Sequence, residues 1–178
     1  KFIQKCRTHN DHAIIVSGGP NIDYKELKNI LDTHPKALVM CVKHAYPGLI
    51  ANNIKPDACI LLDPRSIEGE STHGVKRKDL LKDLDEDTKF LVASMTDPSV
   101  TNYLMEKKAD IWGWHAFTES LRDEEDRKHA IKNNQVKIRE DIGLPVGATL
   151  ITGGTCAAMR AIGMLHTMGF RNMHLFGF

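Results

Sequence analysis

Ala13-Ile14-Ile15-Val16-Ser17-Gly18-Gly19-Pro20-Asn21-Ile22-Asp23 is the stretch on which the fold reading turns. A compact β-branched run ends abruptly at two glycines and a proline. An amphipathic stretch, Tyr24 to Leu31, follows, with Leu27, Ile30 and Leu31 at helical spacing and Asn21 or Asp23 available as its N-cap. Apolar residues at consecutive rather than alternate positions mark a strand covered on both faces, as in a parallel sheet flanked by helices.

The same rhythm continues along the chain. Ala37 to Val42 reads as a second strand, Tyr46 to Asn53 as a short helix, and Ala58 to Leu62 as a third strand closed by Asp63-Pro64. Phe90 to Ala93 reads as a fourth strand closed by Thr96-Asp97-Pro98, and Val100 to Lys107 as a helix. Asp110 to His115 is a fifth strand, Thr155 to Met168 a long helix, and Met173 to Phe178 the last strand. This repetition predicts an α/β, doubly wound, mostly parallel sheet of five to six strands, Rossmann-like, with helices on both faces. Residues 1–12 read as a polar N-terminal extension and 13–178 as a single domain. Because residue 1 is Lys and Phe178 stands in an apolar run, the domain is expected to be cut from something longer. Two segments break the rhythm. Ser66 to Asp87 is charge-rich and reads as a mobile loop. Glu119 to Asp141 carries the run Arg122 to Lys128, whose plain reading is a solvated helix or loop and whose functional reading is a lid.

Composition narrows the classes. With 178 residues, 24 basic against 23 acidic side chains and 42% hydrophobic residues, the chain suits one soluble domain. A net charge of +1 argues against a dedicated nucleic-acid binder, which needs a concentrated basic face. No apolar stretch approaches the ~20 residues of a membrane span. Cys6, Cys41, Cys59 and Cys156 show neither a C-x-x-C pair nor zinc spacing, and the last three sit in apolar segments, as buried free thiols do. A reducing, cytoplasmic setting is expected.

Ligands of open parallel sheets bind beyond the carboxyl ends of the strands. At the first such end, Ser17, Gly18, Gly19 and Asn21 combine a sharp turn with a following helix N-terminus, an environment suited to phosphate. The stretch is neither G-x-G-x-x-G nor a P-loop. Thr152, Gly153, Gly154 and Thr155 open the last helix and give a second candidate anion site, with Thr152 or Thr155 as cap. Asp63 and Asp97 end neighbouring predicted strands, each before proline, and are the candidate Mg2+ ligands between protein and a polyphosphate. His115 at a strand end is the candidate general acid or base, with His44 comparable. His9 and His12, i and i+3 in a polar stretch, are discounted as ligands. Trp112 and Trp114 are expected to pack. No G-x-S-x-G elbow supports a hydrolase.

Three segments together, Ile14 to Asp23, Ile54 to Pro64 and Gly153 to Gly177, resemble the MptE-like family, which includes archaeal 6-hydroxymethylpterin diphosphokinases and flagellin-glycosylation accessory proteins. The resemblance spans roughly residues 13–178. Gly19-Pro20-Asn21-Ile22 stands where the family usually has Gly-Pro-Ser-Leu. The first and last segments are also similar to a bacterial sialyltransferase family that uses CMP-sialic acid. The first resemblance implies ATP, Mg2+ and pyrophosphate transfer to a hydroxymethyl group, with Asp63 and Asp97 on the metal, Gly18 and Gly19 at phosphate, and Arg65 stabilising developing charge. The second implies a CMP-type nucleotide, no essential metal, and His115 as base toward an acceptor hydroxyl. A third reading is a nucleotide- or sugar-phosphate-binding module of a larger protein. Expected partners are a small-molecule nucleotide and acceptor, with no nucleic acid, and either further domains or a second copy.

Overall fold

The computed structural model describes residues 3–71, 74–117 and 149–178. Its elements are β1 (His12–Val16), α1 (Tyr24–Thr33), β2 (Leu38–Val42), α2 (Tyr46–Ala51), β3 (Ala58–Leu61), a 3-10 turn (Arg77–Leu81), β4 (Lys89–Ala93), α3 (Pro98–Glu106), β5 (Asp110–Ala116), β6 (Leu150–Ile151), α4 (Ala157–Thr167) and β7 (Asn172–Phe176). The strands form one sheet in the order β6-β5-β4-β3-β2-β1-β7, and every pairing is parallel. The sequence reading of five to six mostly parallel strands is therefore corrected to seven among the described residues, all paired in parallel. The unexpected strand is β6, whose two residues are too short to leave a hydrophobic pattern.

Connections from β1 to β5 all step in one direction, and right-handed crossovers put their helices on one face. The return from β6 to β7 crosses the whole sheet the other way, which places α4 on the opposite face. An 11-residue helix is about 16 Å long. Yet α4 packs against β1, β2, β3 and β6, and β1 and β6 would lie about 24 Å apart in a flat sheet. The sheet therefore curls around α4. Arg160, buried on this helix, donates to the carbonyls of Phe117 and Ile151 and fastens α4 to the β5–β6 edge.

Local chemistry explains the element ends. Ala13, Ile14, Ile15 and Val16 are wholly inaccessible, as the unbroken apolar run requires. Asp23 caps α1, accepting from the amides of Lys25 and Glu26 at 3.0 and 2.9 Å. Asp97 caps α3 with Pro98 following, a position where proline loses no hydrogen bond. At α4 the cap position falls on Cys156, with no side-chain hydrogen bond, so neither Thr152 nor Thr155 plays the capping role expected of it.

The 66–87 segment is also more built than the mobile loop expected. Arg77, Leu80 and Leu81 are buried, Ile67 N–H donates to Ser99 Oγ at 2.9 Å, and Tyr103 Oη donates to the Leu81 carbonyl at 3.1 Å. Residues 3–11 hold no helix or strand, yet Ile3 is buried, and the amides of Cys6 and His9 donate to the Thr167 and Gly169 carbonyls. The 119–141 segment read as a candidate lid lies outside the described residues. Among the described residues no helix is long and apolar enough to cross a membrane.

Gly163 tests the close seating of α4. A Cβ there would overlap the carbonyl oxygen of Thr152. In an unconstrained helix Gly→Ala stabilises by about 1 kcal/mol. Gly163→Ala is expected to reverse that sign and destabilise by about 1–3 kcal/mol in urea unfolding, through overpacking.

Candidate functional site

Asp63 stands just beyond β3 and is buried, with its side chain 10% exposed. Lys43, just beyond the neighbouring β2 and equally buried, places Nζ 2.7 Å from Asp63 Oδ2. Arg65 wraps the same carboxylate. Its amide and Nε donate to Oδ1 at 3.1 and 2.8 Å, and a terminal nitrogen donates to Oδ2 at 3.2 Å. Buried Arg77 brings its Nε within 3.8 Å of Oδ2, and no hydrogen-bond partner satisfies that nitrogen. Burial alone would raise the Asp63 pKa, but hydrogen bonds from Arg65 and Lys43 and the charge of Lys43 outweigh it and hold the carboxyl well below the usual range. Asp63 and the adjoining Asp97 against Lys43, Arg65 and Arg77 leave a local excess of one positive charge.

Lys43, Asp63 and Arg65 form one side of a cavity of about 350 Å3 at the carboxyl ends of β1, β2 and β3, with Arg77 behind them. Ser17 and Gly18 line it from β1, Lys43 and His44 from β2, and Asp63 and Arg65 from β3. Thr155, Cys156, Ala157 and Ala158 line it from the start of α4. Because α4 lacks a side-chain cap, its first amides and positive dipole end face the same space as the cations. Gly18 is tight because a Cβ there would stand 3.0 Å from the Cβ of His44.

Of the residues expected from sequence, Ser17, Gly18, His44, Asp63, Arg65 and Thr155 therefore share one cavity, whereas Gly19, Asn21, Asp97, His115, Thr152, Gly153 and Gly154 lie outside its lining. The Gly19 amide is already used, donating to the Gly177 carbonyl at 3.0 Å, so this glycine joins the β1 and β7 loops. Gly153 has φ of 129° and is pressed against the Met159 carbonyl, a backbone that favours glycine. Asp97 adjoins Asp63, its amide donating to the Asp63 carbonyl at 3.0 Å. Its carboxylate, however, turns to Ser99, whose hydroxyl and amide lower its pKa.

Both Asp63 oxygens are thus taken by Lys43 and Arg65, and a divalent cation there would also meet Arg77. In this arrangement Asp63 does not fit as a Mg2+ ligand, and its surroundings suit an anion.

His115 lies two strands from β3, about 10 Å along the sheet edge, and outside the cavity lining. Its Nδ1 pairs with Ser94 Oγ, and burial lowers its pKa, which favours the neutral ring. Trp114 is buried, with Nε1 donating to the Leu91 carbonyl at 2.9 Å, and Trp112 Nε1 donates to Asp110 at 3.1 Å. Cys41 and Cys59 are buried free thiols as expected. Cys156 is exposed instead, because it stands at the cap position of α4, at the cavity. Sequence reading passed over Lys43 and Arg77. The signal for Lys43 was its place next to His44 at a strand end. Arg77 had none, since it sits in a charge-rich loop.

The fold and cavity define an open parallel α/β protein with a cationic, helix-backed site at its strand ends. The chain belongs to the MptE-like family. The model described as 6-hydroxymethylpterin diphosphokinase MptE-like matches residues 1–178. Among solved structures it resembles the MAf glycosyltransferase from Magnetospirillum magneticum AMB-1, with a TM-score of 0.63 and 16% identity. The match covers 99% of this chain and 24% of that one. The chain thus spans about a quarter of that protein's length, and the likeness is one of fold. No curated protein matches the sequence.

Asp63→Asn leaves Lys43 buried opposite a neutral amide and is expected to cost about 3–5 kcal/mol at pH 7. A carboxyl with a depressed folded-state pKa contributes stability above its unfolded pKa, near 4, and loses it as pH falls toward the folded value. Denaturation of both proteins at a series of pH values should therefore show the gap narrowing progressively below about pH 4.

Proposed function

We propose that this chain binds the polyphosphate of ATP in the cavity between Gly18, the Lys43–Asp63–Arg65 cluster and the start of α4, and transfers pyrophosphate to a hydroxymethyl-bearing acceptor of the pterin type. The observation that carries the reading is the meeting of buried Lys43 and half-exposed Arg65 with the uncapped N-terminus of α4 over one cavity. Both devices favour negative charge, and a water-poor wall strengthens them. The family description supplies the reaction class.

In this reading the acceptor hydroxyl oxygen attacks the β-phosphorus of ATP, the bond from that phosphorus to the oxygen bridging to the α-phosphorus breaks, and AMP leaves. Arg65, half exposed at the cavity wall, meets charge developing on the phosphoryl oxygens. Asp63 keeps Arg65 and Lys43 in place rather than touching phosphate. His115, neutral and oriented by Ser94, takes the hydroxyl proton from an acceptor lying over the ends of β4 and β5.

The second reading, transfer from a CMP-activated sugar, draws support from the fold likeness to a glycosyltransferase. A binding module without turnover is the third.

Incubation with ATP, Mg2+ and 6-hydroxymethylpterin, followed by mass spectrometry, is expected to yield AMP and the pterin diphosphate in equal amounts. Arg65→Ala should lower kcat about 100-fold or more. The rate should rise with pH through a limb below the ordinary histidine value of about 6.5, and that limb should vanish in His115→Asn. Release of CMP from CMP-sialic acid without AMP formation would move the assignment to the second reading. Tight nucleotide binding with neither product would move it to the third.

A further inference from the structure

Three histidines from distant parts of the sequence meet at the opposite end of the sheet from the cavity. His12 opens β1, His34 is the residue that ends α1, and His174 lies in the middle of β7. In the β1–β7 register His174 stands opposite Ile14, two residues from His12, so strand alternation puts both rings on one face. The end of α1 brings His34 over them.

His12 Nδ1 and His174 Nε2 lie 2.9 Å apart, and the His12 and His34 rings stack with centroids 3.7 Å apart. One nitrogen from each ring falls within 4.8 Å of the others. All three side chains are half-buried, so they keep a solvent-facing side.

From this juxtaposition we infer that His12, His34 and His174 form a binding site for a borderline transition-metal cation, Zn2+ foremost, that ties the β7 edge to β1 and α1. Three nitrogens around a tetrahedral ion at ~2.1 Å lie about 3.4 Å from one another. The close His12–His174 pair need open by only about half an ångström, and the remaining separations, at most 4.8 Å, need close by about 1.4 Å at most.

An all-imidazole set selects Zn2+, Co2+, Ni2+ or Cu2+ over Mg2+, so the site is separate in chemistry as well as place from any nucleotide-bound magnesium. Imidazole ligates metal as the neutral ring. Three protein ligands leave the fourth position to water.

The ion's effect would reach the cavity mouth through the strand pair it clamps. Beyond β1 and β7 the Ser17 amide donates to the Phe176 carbonyl at 2.8 Å and the Gly19 amide to the Gly177 carbonyl at 3.0 Å.

The test is titration of the chelator-treated 178-residue chain with Zn2+ and, as a spectroscopic stand-in, Co2+. The inference predicts one equivalent bound, the visible absorption of tetrahedral cobalt, a raised Tm, and at least ~10-fold weaker binding in His34→Ala and in His174→Ala. Cys6→Ser and Cys156→Ser, which remove the exposed thiols, should bind as before. Undiminished affinity in both histidine variants, loss of binding in either serine variant, or no stoichiometric binding would overturn it. Should a histidine variant fail to fold, imidazole nitrogen NMR of the unaltered chain decides. The resonances of His12, His34 and His174 must shift together with one equivalent of Zn2+ while that of His44 does not, and any other pattern contradicts the site.

Discussion

One buried carboxylate organises the carboxyl-end face of this protein. Asp63 emerges from the middle of a seven-stranded parallel sheet and is met by Lys43 from the strand beside it, Arg65 two residues on, and Arg77 from the loop that follows. Left alone, buried Asp63, Lys43 and Arg77 would each be costly. Together they hold one another with a surplus of positive charge, and Lys43 and Arg65 present it to the cavity beneath α4. The arrangement is more a device for positioning cations than a metal cradle.

The rest of the architecture keeps that cluster in register. Consecutive crossovers from β1 to β5 step in one direction and carry the ends of β1, β2 and β3 to adjacent places. The single return crossover brings α4 across the other face with its first turn over those ends. Gly163 and Arg160 seat the helix, and Gly18 lets the backbone come close to His44. Sheet curl follows from the same helix touching both β1 and β6.

Elements built from unbroken apolar runs were legible in the sequence almost to the residue. Ala13 to Val16 and Phe90 to Ala93 admit no other reading once ten or more amphipathic residues separate successive runs. Leu150–Ile151 did not stand out, because two apolar residues make no pattern, and neither did the 3-10 turn, because Leu80 and Leu81 sit among charges. At the site, the adjacency of Asp63 and Asp97 was readable from two Asp-Pro strand ends, but their chemistry was not. What Asp63 does depends on Lys43 and Arg77, 20 residues before it in one case and far along a loop in the other. Cys156 misled for a related reason. The small apolar residues after it suggest burial, yet the cap position of a helix over a cavity is open. His12 and His174, 162 positions apart, meet only once β7 returns to β1.

The central claim is that nucleotide phosphate occupies the space between the cation cluster and the start of α4, and the chain contains its own reporter. Cys156 lines that space, while exposed Cys6 lies against the residue ending α4, about 16 Å away along the helix. The rate of alkylation of each thiol, followed by mass spectrometry with and without a non-hydrolysable ATP analogue, therefore reads occupancy at one end of the helix against a control at the other. The account predicts that nucleotide slows Cys156 strongly and leaves Cys6 unchanged. Equal rates at Cys156 with saturating nucleotide would contradict it.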